Sequence, residues 1–157
     1  MLVLLIACSG LGFSGDSIVW QKIGLGINEP AVRNIFIDPT DDAVIYAGTS
    51  KALYRSADAG KTYQSVLRVS GDCGVNDVYI VTDQPEIIYV ATDGGLYESE
   101  DGGITWRRSY HASEIEAQRC FSVVRSKDVV YLGTQKGLFE KRLREASWRR
   151  IEEGMGS

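Results

Sequence analysis

The chain has 157 residues, of which 44% are hydrophobic and 24% charged, with a formal net charge of −4. That is the composition of a globular protein with enough apolar residues for a core. The negative balance gives no electrostatic footprint for nucleic acid or an anionic membrane, and a single histidine, His111, among three cysteines without a Cys-x-x-Cys pair leaves no zinc site of His and Cys ligands.

Residues 1–15, MLVLLIACSGLGFSG, are apolar and then small. The run is too short to span a bilayer. It is similar to the end of a secretion signal, and LIAC at Leu5–Cys8 is similar to a lipobox whose cysteine, Cys8, would carry a lipid; no basic residue precedes it, so the other reading is a buried strand. Export is the expectation, with membrane attachment through Cys8 alone. Removing Cys8 leaves Cys73 and Cys120, which lie near the starts of neighbouring strands and form either a bridge between them or two free thiols.

From residue 16 onward the chain repeats itself. VRNIFIDP (Val32–Pro39) and IYAGTSKALYRS (Ile45–Ser56) return 43 residues later as VNDVYIVT (Val75–Thr82) and IYVATDGGLYES (Ile88–Ser99). A third copy of the second phrase, VYLGTQKGLFEK (Val130–Lys141), follows after 42 more, and an aromatic closes each copy at Tyr63, Trp106 and Trp148. One period before Tyr63 stands Trp20 in IVWQKIGLG, which reads as the last strand of a preceding unit.

Each copy holds four short β-type segments divided by Asp, Pro, Gly, Ser and Lys clusters. In the first they are expected near Asn34–Asp38, Val44–Gly48, Ala52–Arg55 and Tyr63–Leu67. The best helical stretch, HASEIEAQ, is short. Four-stranded units of about 40–50 residues are the signature of propeller blades. The expectation is therefore an all-β propeller segment of about three four-stranded blades (27–66, 70–110 and 117–151) plus one N-terminal strand: an incomplete ring. The incompleteness leaves three readings: a fragment of a longer propeller, two copies associating to close a ring, or a self-capped stub.

Between the third and fourth strands the phrase Ser-x-Asp-x-Gly-x-Thr-aromatic occurs twice, at Ser56–Tyr63 and Ser99–Trp106. Asp58 and Asp101 are placed to accept bonds from backbone N–H groups one or two residues ahead, Gly60 and Gly103 tolerate the reversal, and Thr62 and Thr105 begin the outgoing strand. Two equivalent copies on separate blades argue for a folding staple over a catalytic or metal-binding carboxylate. The phrase resembles the Asp-box, or BNR repeat, of sialidases, xyloglucan-cleaving glycoside hydrolases, sortilin-type receptors and Ycf48-type photosystem II assembly factors. The resemblance implies a β-propeller and leaves open whether the chain is an enzyme. The third copy, KRLREASW (Lys141–Trp148), has lost the Asp and the Gly.

The opposite ends of the blades, expected to carry a ligand, hold Asp72, Asp93, His111, Glu114, Glu116 and Arg119. Positions 34, 77 and 120 read as equivalent, making Asp77 the lone candidate for a catalytic or sugar-binding carboxylate, against the preferred reading of a solvated strand end. A glycosidase needs two carboxylates at a defined separation; Asp72, Asp77, Asp93 and Glu114 could supply them, but no spacing selects a pair. A sialidase would need an arginine cluster, where only Arg33 and Arg119 are on offer. No phosphate-cradling glycine motif occurs, and no cofactor or metal is expected. The sequence thus points to a non-catalytic exported scaffold that binds a protein or a glycan, or alternatively to a piece of a glycoside hydrolase.

Overall fold

A computed structural model describes residues 26–71, 73–112 and 118–152. The expected leader (1–15), Cys8, the strand ending at Trp20, Asp72, Glu114 and Glu116 lie outside them.

Among the described residues, twelve strands form three four-stranded antiparallel meanders. The first is β1 (Val32–Ile37), β2 (Ile45–Thr49), β3 (Ala52–Ser56) and β4 (Gln64–Arg68). The second is β5 (Val75–Ile80), β6 (Ile88–Thr92), β7 (Gly95–Ser99) and β8 (Arg107–Tyr110). The third is β9 (Cys120–Ser126), β10 (Val129–Thr134), β11 (Gly137–Arg142) and β12 (Arg149–Arg150). The expected segments are recovered to within two residues, and Thr62 and Thr105 sit inside the turns, ahead of the strands rather than at their first residues.

The strands β2 and β6 are buried at every position. Such strands read as continuous apolar runs because both of their sides are covered. One core, between the first and second sheets, packs Tyr46 and Leu53 against Val75, Val78, Ile88 and Val90. The next packs Tyr89, Leu96 and Tyr110 against Cys120, Val123, Val130 and Leu132. Each such side chain stabilises by about 1.5–3 kcal/mol when fully buried. The innermost strand of a sheet lies against the first two strands of the sheet before it, β5 on β1 and β2, β9 on β5 and β6.

The register corrects one equivalence. Thr49, Thr92 and Thr134 pair with Val32, Val75 and Cys120, while Gly48, Ala91 and Gly133 pair with Asn34, Asp77 and Ser122. Ser122, not Cys120, is therefore the counterpart of Asn34 and Asp77. The third sheet turns from β9 to β10 through two residues, Lys127 and Asp128, where the other two use longer loops. A longer connection into β9 restores the overall period, so the sequence spacing conceals the shift.

The repeated phrase folds as a side-chain-stapled turn, with bonds that reach further than expected. Ser56 Oγ donates to Asp58 Oδ1 (2.7 Å) and accepts from Gly60 N (2.9 Å). Asp58 then accepts from Thr62 N (2.9 Å) and Thr62 Oγ1 (2.6 Å), four residues ahead. Asp101 repeats this with Thr105 N (2.8 Å) and Thr105 Oγ1 (2.5 Å), and adds Ile104 N (3.0 Å). These donors, the threonine hydroxyl first, hold both carboxyls at a pKa of about 2, below the usual 3.8. Gly60 and Gly103 take φ of 83° and 88°, a region that costs a side-chain-bearing residue about 1–2 kcal/mol. Of the closing aromatics, Tyr63 is buried and Trp106 packs against the core between the first two sheets. In the third copy the aromatic alone survives: Trp148 Nε1 donates to Ser109 O (2.8 Å) and its ring meets Tyr110 edge-on at 5.6 Å.

Candidate functional site

β1, β5 and β9 are edge strands with one ladder neighbour each, so every second backbone N–H and C=O along their inner side needs another partner. The preceding sheet supplies it. Asn34 Nδ2 donates to Val75 O (2.9 Å) and Asn76 O (3.0 Å). A Cβ at Gly48 would overlap Asn34 Oδ1, so glycine leaves the room that seats this amide. Asn76 Nδ2 donates to Cys120 O (2.9 Å). Asp77 Oδ2 accepts from Val123 N (2.9 Å), and its Oδ1 accepts from Val78 N (2.9 Å). Asp77 is a stitch between the second and third sheets. Both of its oxygens are engaged with backbone N–H groups.

At the end of the sheets opposite the stapled turns, a threonine closes each turn from second to third strand. Thr49, Thr92 and Thr134 donate Oγ1 to the carbonyls of Ala52, Gly95 and Gly137 at 2.8–3.0 Å. Sequence reasoning passed over these three residues, although they recur at the 43- and 42-residue steps. They fix the turns that carry Asp93.

Asp93 is the hub of this end. Its side chain is 15% exposed and accepts from Asn76 Nδ2 (2.9 Å) and Gly74 N (3.2 Å). Arg33 Nη1 stands 3.5 Å from Oδ2 and Arg119 Nε 3.6 Å from Oδ1. The two guanidiniums come from the starts of the first and third sheets and are about half exposed. Arg108 closes the group from below, donating to Gly94 O and to Gln118 Oε1 (3.2 Å). One carboxylate shared by two arginines leaves further N–H donors of both forks facing solvent. Such forks match a carboxylate, a phosphate or a row of hydroxyls. Asp93 and Arg119, two of the loop-end residues, are thus brought together. His111 is exposed, and no hydrogen bond or ion pair joins it to them.

Cys73 and Cys120 are free thiols rather than a bridge. They belong to different cores: Cys73 packs on the first-to-second sheet core and against Gly94, while Cys120 is fully buried in the next, its Sγ on Gln118 O (3.2 Å). Burial raises the Cys120 thiol to about 12. Among the described residues no group of three His, Cys, Asp or Glu side chains is arranged to hold a metal. An apolar depression of about 300 Å³ opens between β1 and β5 near the stapled turns, lined by Phe36, Ile37, Pro39, Val78, Ile80 and Thr82.

No family model and no curated protein matches the chain. Solved structures do. An ancestral GH74 enzyme aligns with a TM-score of 0.72 at 20% identity, over 84% of this chain and 20% of its own. The GH74 xyloglucanase from Xanthomonas campestris gives 0.59 at 21%, over 78% and 23%. YCF48 bound to D1 peptide gives 0.55 at 14%, over 80% and 46%. The chain therefore spans about a fifth of the length of these glycoside hydrolases. At such identities the likeness is one of fold, and it fixes the class: the three meanders are blades of a β-propeller, and this chain is a partial one.

Proposed function

We propose that this protein is a non-catalytic, exported propeller segment of the Asp-box type, whose loop end binds a segment of another protein or a glycan. The observation that carries this reading is the use made of the acids. Asp58 and Asp101 are absorbed by their turns, and Asp77 by the backbone of the next blade. Asp93 lies at the loop end, and it does so between two arginines. A glycosidase needs one carboxyl free to protonate a leaving group and a second free to act as nucleophile or base. The Asp93 group instead presents guanidinium donors on a rigid floor, which suits recognition. Two similar folds support the reading by analogy: the YCF48 structure holds a peptide, and another neighbour, from B. thetaiotaomicron, is the extracellular domain of a hybrid two component system, in line with export. The second reading, a piece of a glycoside hydrolase, is favoured by the GH74 likeness.

The test uses the intact chain on a peptide and glycan array, alongside a panel of chromogenic glycosides. Binding weakened about ten-fold or more by Arg33→Ala or Arg119→Ala, with no turnover of any glycoside, is the expected result. Turnover that disappears in a folded Asp77→Asn variant would overturn the scaffold reading in favour of the hydrolase.

A further inference from the structure

The front of the second sheet, the face it turns to the sheet before it, holds Val75, Val78, Ile80, Ile88 and Val90, all buried on the rear of the first. The corresponding front of the first sheet is divided. Ile45, Ala47, Tyr54 and Tyr63 are buried, at 6%, 1%, 1% and 3% exposure, whereas Ile35 and Ile37 on the innermost strand are 42% and 60% exposed. Among the described residues, Ile27 and Val32 pack on the buried part, too little apolar surface to close over two tyrosines and an isoleucine. The chain enters over that same part. A Cβ at Gly26 would overlap Tyr63 O, and Gly26 stands one period before Val69 and two before Ala112, residues that follow the fourth strands of the first and second sheets and pack into the next core. Gly26 therefore sits where the fourth strand of a preceding blade would end. Residues 1–25 carry the marks of such a blade. Gly10-Leu11 is the counterpart of Ala52-Leu53, Gly95-Leu96 and Gly137-Leu138, and Ser14 and Asp16 are those of Ser56 and Asp58. These residues precede their counterparts by 42 positions; the turn phrase is one residue shorter, which restores 43 at Trp20. No residue of the 25 corresponds to an innermost strand.

We propose that residues 1–25 supply the second, third and fourth strands of a blade that docks on the front of the first sheet, and that residues 1–15 are not themselves an export leader. Leu4 and Leu11, the counterparts of Tyr46 and Leu53, seat Ile45, Ala47 and Tyr54, as Tyr46 and Leu53 seat Ile88 and Val90 one blade later. The divided front follows from the missing strand. Inside the chain β5 rests on both β1 and β2 of the sheet before it; a docked segment without an innermost strand covers β2 and β3 and leaves Ile35 and Ile37 half bare. Cys8 falls in the turn from second to third strand, at the place of Ser50, Asp93 and Gln135. It is then a loop-end residue and not a lipid anchor. The ligand reading of the Arg33, Asp93 and Arg119 group stands independently of this proposal.

The experiment is hydrogen–deuterium exchange, read by mass spectrometry on the full chain, comparing Leu4→Asp and Leu11→Asp with Leu5→Asp. Leu5 corresponds to Ala47 and so faces away from the first sheet. The amides of β2 and β3 should exchange about ten-fold faster or more in the first two variants, because each puts a charge into an apolar junction. Those of the third sheet should be unchanged, and Leu5→Asp should match the parent chain. Leu11→Ala keeps the junction apolar and should speed the same amides by a smaller factor; it carries the test where an aspartate unfolds the whole chain. Unchanged exchange in Leu4→Asp, Leu11→Asp and Leu11→Ala, or a response to Leu5→Asp as large as theirs, would overturn the proposal. Removal of residues 1–15 by the producing cell, read as an intact mass well below 17.3 kDa, would overturn it as well and return those residues to the leader reading.

Discussion

Asp77 separates the architectural from the catalytic account of this molecule, and Asp77→Ala tests it. The substitution removes the acceptor of Val123 N, a 2.9 Å charge-assisted bond at a residue that is 1% exposed. Nothing of the alanine reaches that N–H, and β9 is an edge strand with no further neighbour on that side. A hydrogen bond to a charged group contributes about 1.5–3 kcal/mol, and an orphaned buried donor costs about 1–3 kcal/mol. These are two views of one loss, so the expected destabilisation is about 2–3 kcal/mol. For a chain of this size that lowers the melting temperature by about 5–10 °C. Asp77→Asn keeps one acceptor oxygen and should lose about half as much. The assay is urea and thermal unfolding followed by far-ultraviolet dichroism and by tryptophan fluorescence, whose coincidence checks that the blades unfold together. Asn34→Ala, which severs the stitch from the first blade onto Val75 O and Asn76 O, should destabilise as well, and because Asn76 O belongs to the peptide unit that carries Asp77, the double-mutant cycle with Asp77→Ala should show an interaction energy of about 0.5 kcal/mol or more. A loss below about 0.5 kcal/mol for Asp77→Ala would refute the stitch, and the carboxylate would again be free for chemistry.

The turns yield a pH prediction. Asp58 and Asp101 titrate near 2 when folded, against 3.8 for an ordinary carboxyl. As the pH falls between those values the unfolded chain takes up protons that the folded chain resists, so their contribution, intact above about pH 4, is lost toward pH 2. Asp101→Asn should flatten the acid limb of a stability-against-pH curve; an unchanged slope would exclude the turn as its source. Ala59 takes a left-handed φ of 56° at the position where the second turn has Gly102. Ala59→Gly should therefore raise stability by about 0.5–1 kcal/mol, and a fall in the urea midpoint would contradict that. Finally, the buried Cys120 thiol, held protonated to about 12, should resist a maleimide in the native protein and react on unfolding, while Cys73 labels readily; mass spectrometry of the labelled peptides reads this directly, and equal labelling would show the second core to be open.

Much of this architecture is written in the spacing. A 43-residue return of Ile-Tyr, of Gly-Thr or Ala-Thr, and of Ser-x-Asp-x-Gly-x-Thr sets unit length, strand number and turn position, because successive blades pack on one another through the same positions. The pairing of the third inner strand was not legible. A shorter β9–β10 turn and a longer entry loop cancel within one period, so the sequence aligns Cys120 where the hydrogen bonds align Ser122. Nor was the role of Asp77. Its partner, Val123 N, lies 46 residues away, and an acid at the start of an edge strand reads alike whether it accepts a backbone N–H or a proton from substrate. The site was half legible: loops expected to share one end do bring Asp93 and Arg119 together, but the central place of Asp93 between Arg33 and Arg119 depends on three strand starts converging.

The acids also show how a repeat fold spends its carboxylates. Stacked sheets leave backbone groups unpaired at two recurrent places, the tight reversal and the inner edge strand. A carboxylate two bonds from the main chain is the strongest short acceptor available at either. Asp58 and Asp101 serve the reversals and Asp77 serves the edge, each at a position where the fold would otherwise carry an orphaned N–H. Asp93 is half spent in the same way, on Gly74 N and Asn76 Nδ2. What remains of it orients two arginines. Around Asp93 the groups left to meet a ligand are therefore the guanidiniums, donors fixed in place by an acid that is itself fixed by the sheet.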